Sequence, residues 1–139
     1  MTDAADSFPA RIRIESTAGD ERFEETVPGV VYRKAGAWYL RYEEEDEAGE
    51  RTRVLVKCAE DGWTVTRRGP VEGEIRCMRG RPGRGSYRIG GMELSLTARF
   101  RSASLRMDGH RGMIRLEYGL SIGGEPERRH SVTYWIEPV

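Results

Sequence analysis

Met92-Glu93-Leu94-Ser95-Leu96-Thr97-Ala98-Arg99-Phe100 and Ile114-Arg115-Leu116-Glu117-Tyr118-Gly119-Leu120-Ser121-Ile122 alternate apolar with polar or small residues without a break. A period of two places successive side chains on opposite faces of a strand, so each stretch predicts a β-strand with one buried face. The same alternation recurs outward in both directions. It marks Ile12 and Ile14, Phe23 and Val27, Val30 to Lys34, Trp38-Leu40-Tyr42, Val54-Val56-Cys58, Trp63-Val65 and finally Val132-Tyr134-Ile136. Helical spacing is not sustained over any comparable length.

Turn residues separate these runs: Ala18-Gly19-Asp20, Ala35-Gly36, Glu47-Ala48-Gly49, Asp61-Gly62, Gly90-Gly91, Asp108-Gly109 and Gly123-Gly124. Such pairs supply the positive φ that tight hairpins need, at roughly one turn per 10 to 14 residues. The pattern predicts an all-β, single closed or nearly closed antiparallel barrel of about eight to ten strands, built as a meander of hairpins. Closure removes the exposed strand edges that promote aggregation. With 139 residues the chain makes one domain and can bury an ordinary core without staples. An ordered core over about 10–137 is expected, with residues 1–9 flexible.

Composition removes several chemistries. Arg outnumbers Lys 21 to 2, and the chain contains no Asn and no Gln. That excludes a Cys-His-Asn catalytic set, adenine-edge readout by Asn or Gln, and N-glycosylation. No window approaches the ~18 apolar residues of a membrane-spanning helix, and Met1 to Ser7 carries two acidic and no basic residues, unlike a secretory leader. A cytoplasmic location follows as an expectation, with Cys58 and Cys77 as free, packed thiols. Cys58, Cys77, His110 and His130 match no zinc spacing, so no metal or other cofactor is expected. No Gly-x-Ser-x-Gly elbow or other recognisable catalytic set is present, and no catalytic residue is assigned.

Tyr32-Arg33-Lys34 followed by Trp38-Tyr39-Leu40-Arg41-Tyr42-Glu43-Glu44, and later Arg68-Gly69, Tyr87, Gly91, Leu94-Ser95-Leu96-Thr97, Gly112, Ile114, Leu116 and Tyr118, resemble the YwiB-like family of uncharacterised bacterial proteins. The resemblance runs from about Ile12 to Ile136 and contains no catalytic signature. It implies a calycin-like barrel, the architecture of lipocalins and fatty-acid-binding proteins. This chain departs from it at the Ile75 to Gly80 strand, which lacks an expected aromatic residue, and at Ile89, where Thr is expected. The lipocalin Gly-x-Trp signature is also missing, since Gly62 and Trp63 are adjacent.

A barrel of about eight strands is either filled by side chains or encloses a small ligand. Alternation puts Glu44 on the face of Trp38, Leu40 and Tyr42, Glu25 on that of Phe23 and Val27, and Arg67 on that of Trp63 and Val65. Charges on an apolar face must pair, meet a polar ligand, or sit solvated at the barrel mouth. Arg68 and Tyr87, with Thr97, suggest either a clamp for a carboxylate or phosphate or a structural pair at the rim. The expected ligand site is therefore Trp38, Leu40, Tyr42, Glu44, Arg67, Arg68, Tyr87, Leu94, Leu96, Tyr118 and Tyr134, for a small amphipathic or anionic molecule bound without catalysis.

An alternative rests on charge. Residues 1–50 hold 6 basic and 13 acidic groups, and residues 51–139 hold 17 and 10. The stretch Arg67 to Arg88 carries seven Arg against Glu72 and Glu74. Gathered on one surface, these arginines would suit RNA or an acidic protein, or pair with Glu43 to Glu47 of a second subunit. Gly80-Arg81-Pro82-Gly83-Arg84-Gly85 lacks the Lys of a phosphate loop and is expected to form a mobile hairpin loop able to gate the mouth. Trp135 and Tyr39, on faces opposite their strands' apolar rows, suit either a homodimer patch or packing under a neighbouring segment.

Overall fold

The computed structural model describes residues 7–139. Ten strands follow one another: β1 (Phe8–Ala18), β2 (Glu21–Lys34), β3 (Ala37–Glu45), β4 (Arg51–Ala59), β5 (Gly62–Arg68), β6 (Val71–Met78), β7 (Pro82–Ile89), β8 (Met92–Asp108), β9 (Arg111–Ile122) and β10 (Arg128–Pro138). Each pairs antiparallel with its sequence neighbours, and β1 pairs with β10 through Ile12↔Ile136 and Ile14↔Tyr134 to close the barrel. The all-β closed meander read from the alternation is what forms.

Three strand readings change. Phe23 to Lys34 is one strand across Pro28-Gly29, not two. Phe8 and Pro9, expected in a flexible segment, open β1, and Phe8 is buried and stacked on His110 with ring centroids 4.0 Å apart. Residues 1–6 lie outside the described residues. Pro82 to Gly85 is part of β7 instead of a loop, paired with β8 through Gly83↔Ala98 and Gly85↔Leu96. A Cβ at Gly85 would run into the Glu74 carbonyl oxygen and stand 2.7 Å from the Ile75 Cα, so glycine here lets β6 and β7 approach on the inward face. The turn over residues 79–81 lies at the end of the barrel away from the cavity described below, so it cannot gate that cavity.

The two ends differ. At one end, Ile12, Val31, Leu40, Val56, Cys58, Ile114 and Ile136 fill the interior at 0–1% exposure. The long strand β8 helps to close it. A bulge at Phe100/Ser102 breaks the β8–β9 register, and beyond it Ala103, Leu105 and Met107 pack against the core while β8 touches β6 and β4. An extra residue in one strand bends it, which is what turns β8 across this end.

At the other end the wall is split. Beyond Gly29↔Tyr42, β2 keeps its ladder with β1 but loses it with β3, whose Glu43, Glu44 and Glu45 pair only with β4. Gly29 marks the branch point, where a Cβ would be 2.7 Å from both the Arg41 carbonyl oxygen and the Ile12 Cδ1. Pro28, with no N–H to donate, stands at the first position without a β3 partner, where a strand edge tolerates it.

Candidate functional site

The split end is hollow. A cavity of about 440 Å³ is walled by residues of β1, β2 and β3 and by those of β5 through β10. Trp63 and Val65 come from β5, Leu94 and Leu96 from β8, Tyr118 and Leu120 from β9, and Val132 and Tyr134 from β10, all by the period-two rule. Phe23, Ile89 and Ile122 line its rim yet remain 42–59% exposed, and Met92, opposite Ile89, is 64% exposed. Glu25 and Tyr42 line both this cup and the cleft between β2 and β3, so the cup adjoins the split in the wall as well as the open end.

One polar cluster interrupts the apolar wall. The Arg67 Nε and Nη2 donate to the two carboxylate oxygens of Glu44 at 2.9 and 3.1 Å, a bidentate pair, and Nη1 donates to the Tyr87 hydroxyl at 2.6 Å. Position 67 on β5 and position 44 on β3 both point inward because each lies an even number of residues from its strand's apolar row. The side chains are partly buried, at 23% and 34% exposure. Burial works against the charge on Arg67, but the Glu44 hydrogen bonds outweigh it and hold the guanidinium firmly protonated.

The phenols and the imidazole of the cup are held neutral. Burial pushes Tyr118 up to about 12 and raises Tyr87 in spite of the neighbouring Arg67. Tyr42 and Tyr134 are also raised by burial. Burial, reinforced by Arg128, lowers His130, which stacks on Tyr118 at 5.4 Å. The lining also carries the acidic side chains of Glu25 and Glu44 beside Arg67. Trp63 is packed on Tyr118 at 4.7 Å and holds an indole N–H that is buried without a hydrogen-bond partner. Phenols and a guanidinium give the cup its hydrogen-bond donors. None stands beside an activated nucleophile, so the arrangement is suited to binding.

Of the residues expected at the site, Tyr42, Glu44, Arg67, Tyr87, Leu94, Leu96, Tyr118 and Tyr134 line the cup. Trp38 and Leu40 do not: they lie at the closed end, Leu40 fully buried and Trp38 half-buried under Arg33, whose guanidinium sits 5.8 Å from its ring centroid. Arg68 does not either. One residue beyond Arg67, it projects outside the barrel beside Arg53 and is exposed, as is Thr97. The Tyr87 partner is Arg67. Trp63 and His130 join the lining without having been assigned to it, although both share the parity of assigned neighbours, Arg67 and Tyr134.

Of the arginine run, Arg67 lies inside the barrel and the other six are exposed. Arg79 is at the closed end with its guanidinium 4.7 Å from the Phe100 ring centroid. Arg76 and Arg84 pair outside on β6 and β7, with Arg76 held 3.6 Å from Glu74. Tyr39 stacks on Tyr32 at 4.8 Å, and the Trp135 indole donates to Glu15 at 2.9 Å beneath Arg13, so both outer aromatics are engaged within their own barrel. Cys58 and Cys77 are free and buried, flanking Trp63 in one cross-strand row. His110 and His130 lie at opposite ends, one against Phe8 and one in the cup.

A ten-stranded up-and-down barrel, packed at one end and hollow at the other, is the class these features define. The chain belongs to the family described as "Domain of unknown function (DUF1934)", whose model matches residues 10–133. It is 30% identical over 124 residues to the uncharacterized β-barrel protein YwiB of Bacillus subtilis (strain 168), covering 89% of this chain and 87% of that protein. The crystal structure of the ywiB protein from Bacillus subtilis superposes with a TM-score of 0.77 at 25% identity, covering 93% of this chain and 92% of that one. The YwiB-like resemblance and the barrel fold read from the sequence both hold.

Proposed function

We propose that the cup binds one small amphipathic molecule and releases it unchanged. The observation that carries this reading is the cavity itself: about 440 Å³ of space with an aromatic and aliphatic wall and a single fixed polar cluster. Ligand pockets in general are concave, mostly apolar, roughly 300–1,000 Å³, and oriented by a few placed polar groups. The molecule's apolar body lies against Trp63, Leu94, Leu96 and Tyr118, and its polar end meets Arg67 and Tyr87. The exposed apolar rim of Phe23, Ile89, Met92 and Ile122 favours entry of a poorly soluble molecule. This is the role a calycin-like barrel would serve. A reducing, cytoplasmic setting accords with the two unbonded thiols.

The neutral dye N-phenyl-1-naphthylamine tests the proposal, since its emission rises in an apolar site. One saturable site is expected, with affinity lost at least tenfold in Leu96→Trp, which fills the cup, and unchanged in Arg68→Ala, which alters only the exterior. Equal binding by wild type and Leu96→Trp would rule the cup out.

A further inference from the structure

Resting on the reading of the cup as a ligand site, we infer that its ligand carries an uncharged hydrogen-bond-accepting head group, of the ketone, ester or amide type, and not a carboxylate. The Arg67 guanidinium is already neutralised. Glu44 takes its Nε and Nη2 edge bidentately, at 2.9 and 3.1 Å, and Tyr87 takes Nη1 at 2.6 Å. A ligand carboxylate could reach Arg67 only by sharing it with Glu44. Two carboxylates would then crowd one half-buried cation, and like charges in a shared site disfavour each other's ionised form. Glu25, the remaining charged residue of the lining, makes the cup more acidic still.

A neutral acceptor meets no such obstacle. Each terminal nitrogen of Arg67 keeps a hydrogen that no protein group accepts. The Tyr87 hydroxyl receives from Arg67, so its own hydrogen is left to donate. The hydrogens left free at the Arg67–Tyr87 edge are donors, and a carbonyl supplies the complementary acceptor without a charge.

Ellipsoidal or extended ligands of about ten carbons fit the volume, so calorimetric titration at pH 7.5 with three probes of matched chain decides the matter. 2-Undecanone and decanoate carry the same nonyl chain on a carbonyl and differ in methyl against O⁻, and n-decylammonium supplies the opposite charge. The ketone is expected to bind tightest, with decanoate at least tenfold weaker. Glu44→Gln frees Arg67 and is expected to reverse that order, decanoate gaining at least tenfold. Decanoate or decylammonium binding wild type as tightly as the ketone would overturn the inference while leaving the cup as the site. Failure of all three probes, together with N-phenyl-1-naphthylamine, would overturn the cup as well. The wild-type comparison needs no variant, so a poorly folding Glu44→Gln protein leaves the test intact.

Discussion

Arg67 and Arg68 are chemically identical neighbours with opposite fates, because a strand sends consecutive side chains to opposite faces. Arg67 lies inside against Glu44, and Arg68 lies outside beside Arg53. The same local logic governs reactivity. Burial pushes the Cys58 thiol up to about 12 and that of Cys77 to about 11, so neither offers a thiolate near neutrality. Ellman's reagent should label no thiol in the native protein and two in guanidinium. Rapid labelling of a native thiol would show that the wall beside Trp63 opens. His130 gives a second expectation. Its folded-state pKa lies below the ordinary 6.5, so the unfolded chain takes up the proton first as pH falls. Its contribution to stability is therefore complete above about pH 6.5 and is lost as pH falls through the lower folded value. His130→Phe, which keeps the ring against Tyr118, should flatten the fall in Tm between about pH 7 and pH 5.5. An unchanged slope would place the pH dependence elsewhere.

Strand β3 spans both halves of the barrel, with Leu40 in the packed end and Tyr42 and Glu44 in the cup. Strand β8 does the same, with Leu94 and Leu96 in the cup and Leu105 and Met107 beyond the bulge at the packed end. Removing side-chain atoms from a filled interior leaves a cavity, whereas removing them from a wall that already borders space does not. Leu40→Ala should therefore cost about 2–5 kcal/mol in urea unfolding, and Leu94→Ala less than about 1 kcal/mol. Comparable losses would mean that the cup end is packed too. The elements also show where alternation stops being informative. It identified β3, β8 and β9 because their apolar residues are large. It did not identify Pro82 to Gly85 as strand, since the inward positions are Gly83 and Gly85, whose missing side chains are what the close approach of β6 requires. Pro28-Gly29 read as a break for a related reason: it is where β2 parts from β3, although the strand itself continues.

At the scale of the molecule, closure was legible because hairpin turns punctuate the whole chain and an open meander would leave exposed strand edges; the first and last strands meet through Ile12↔Ile136 and Ile14↔Tyr134. The inward set followed from the alternation, including Glu44 and Arg67. Height along the barrel was not legible. Alternation assigns a face but not an end, so Trp38 and Leu40 were grouped with Tyr42 although they lie beyond the floor of the cup. Which end stays hollow depends on the bend in β8 and the parting of β2 from β3, both products of register. The three tryptophans now report on the three environments: Trp63 in the cup, Trp38 at the closed end and Trp135 outside, hydrogen-bonded to Glu15. Recording the three indole N–H resonances of ¹⁵N-labelled protein during titration with N-phenyl-1-naphthylamine tests the central claim most directly. The account predicts that the Trp63 resonance moves to saturation while those of Trp38 and Trp135 stay in place. Movement of Trp38 or Trp135 with Trp63 unmoved would contradict it and put the ligand elsewhere on the barrel.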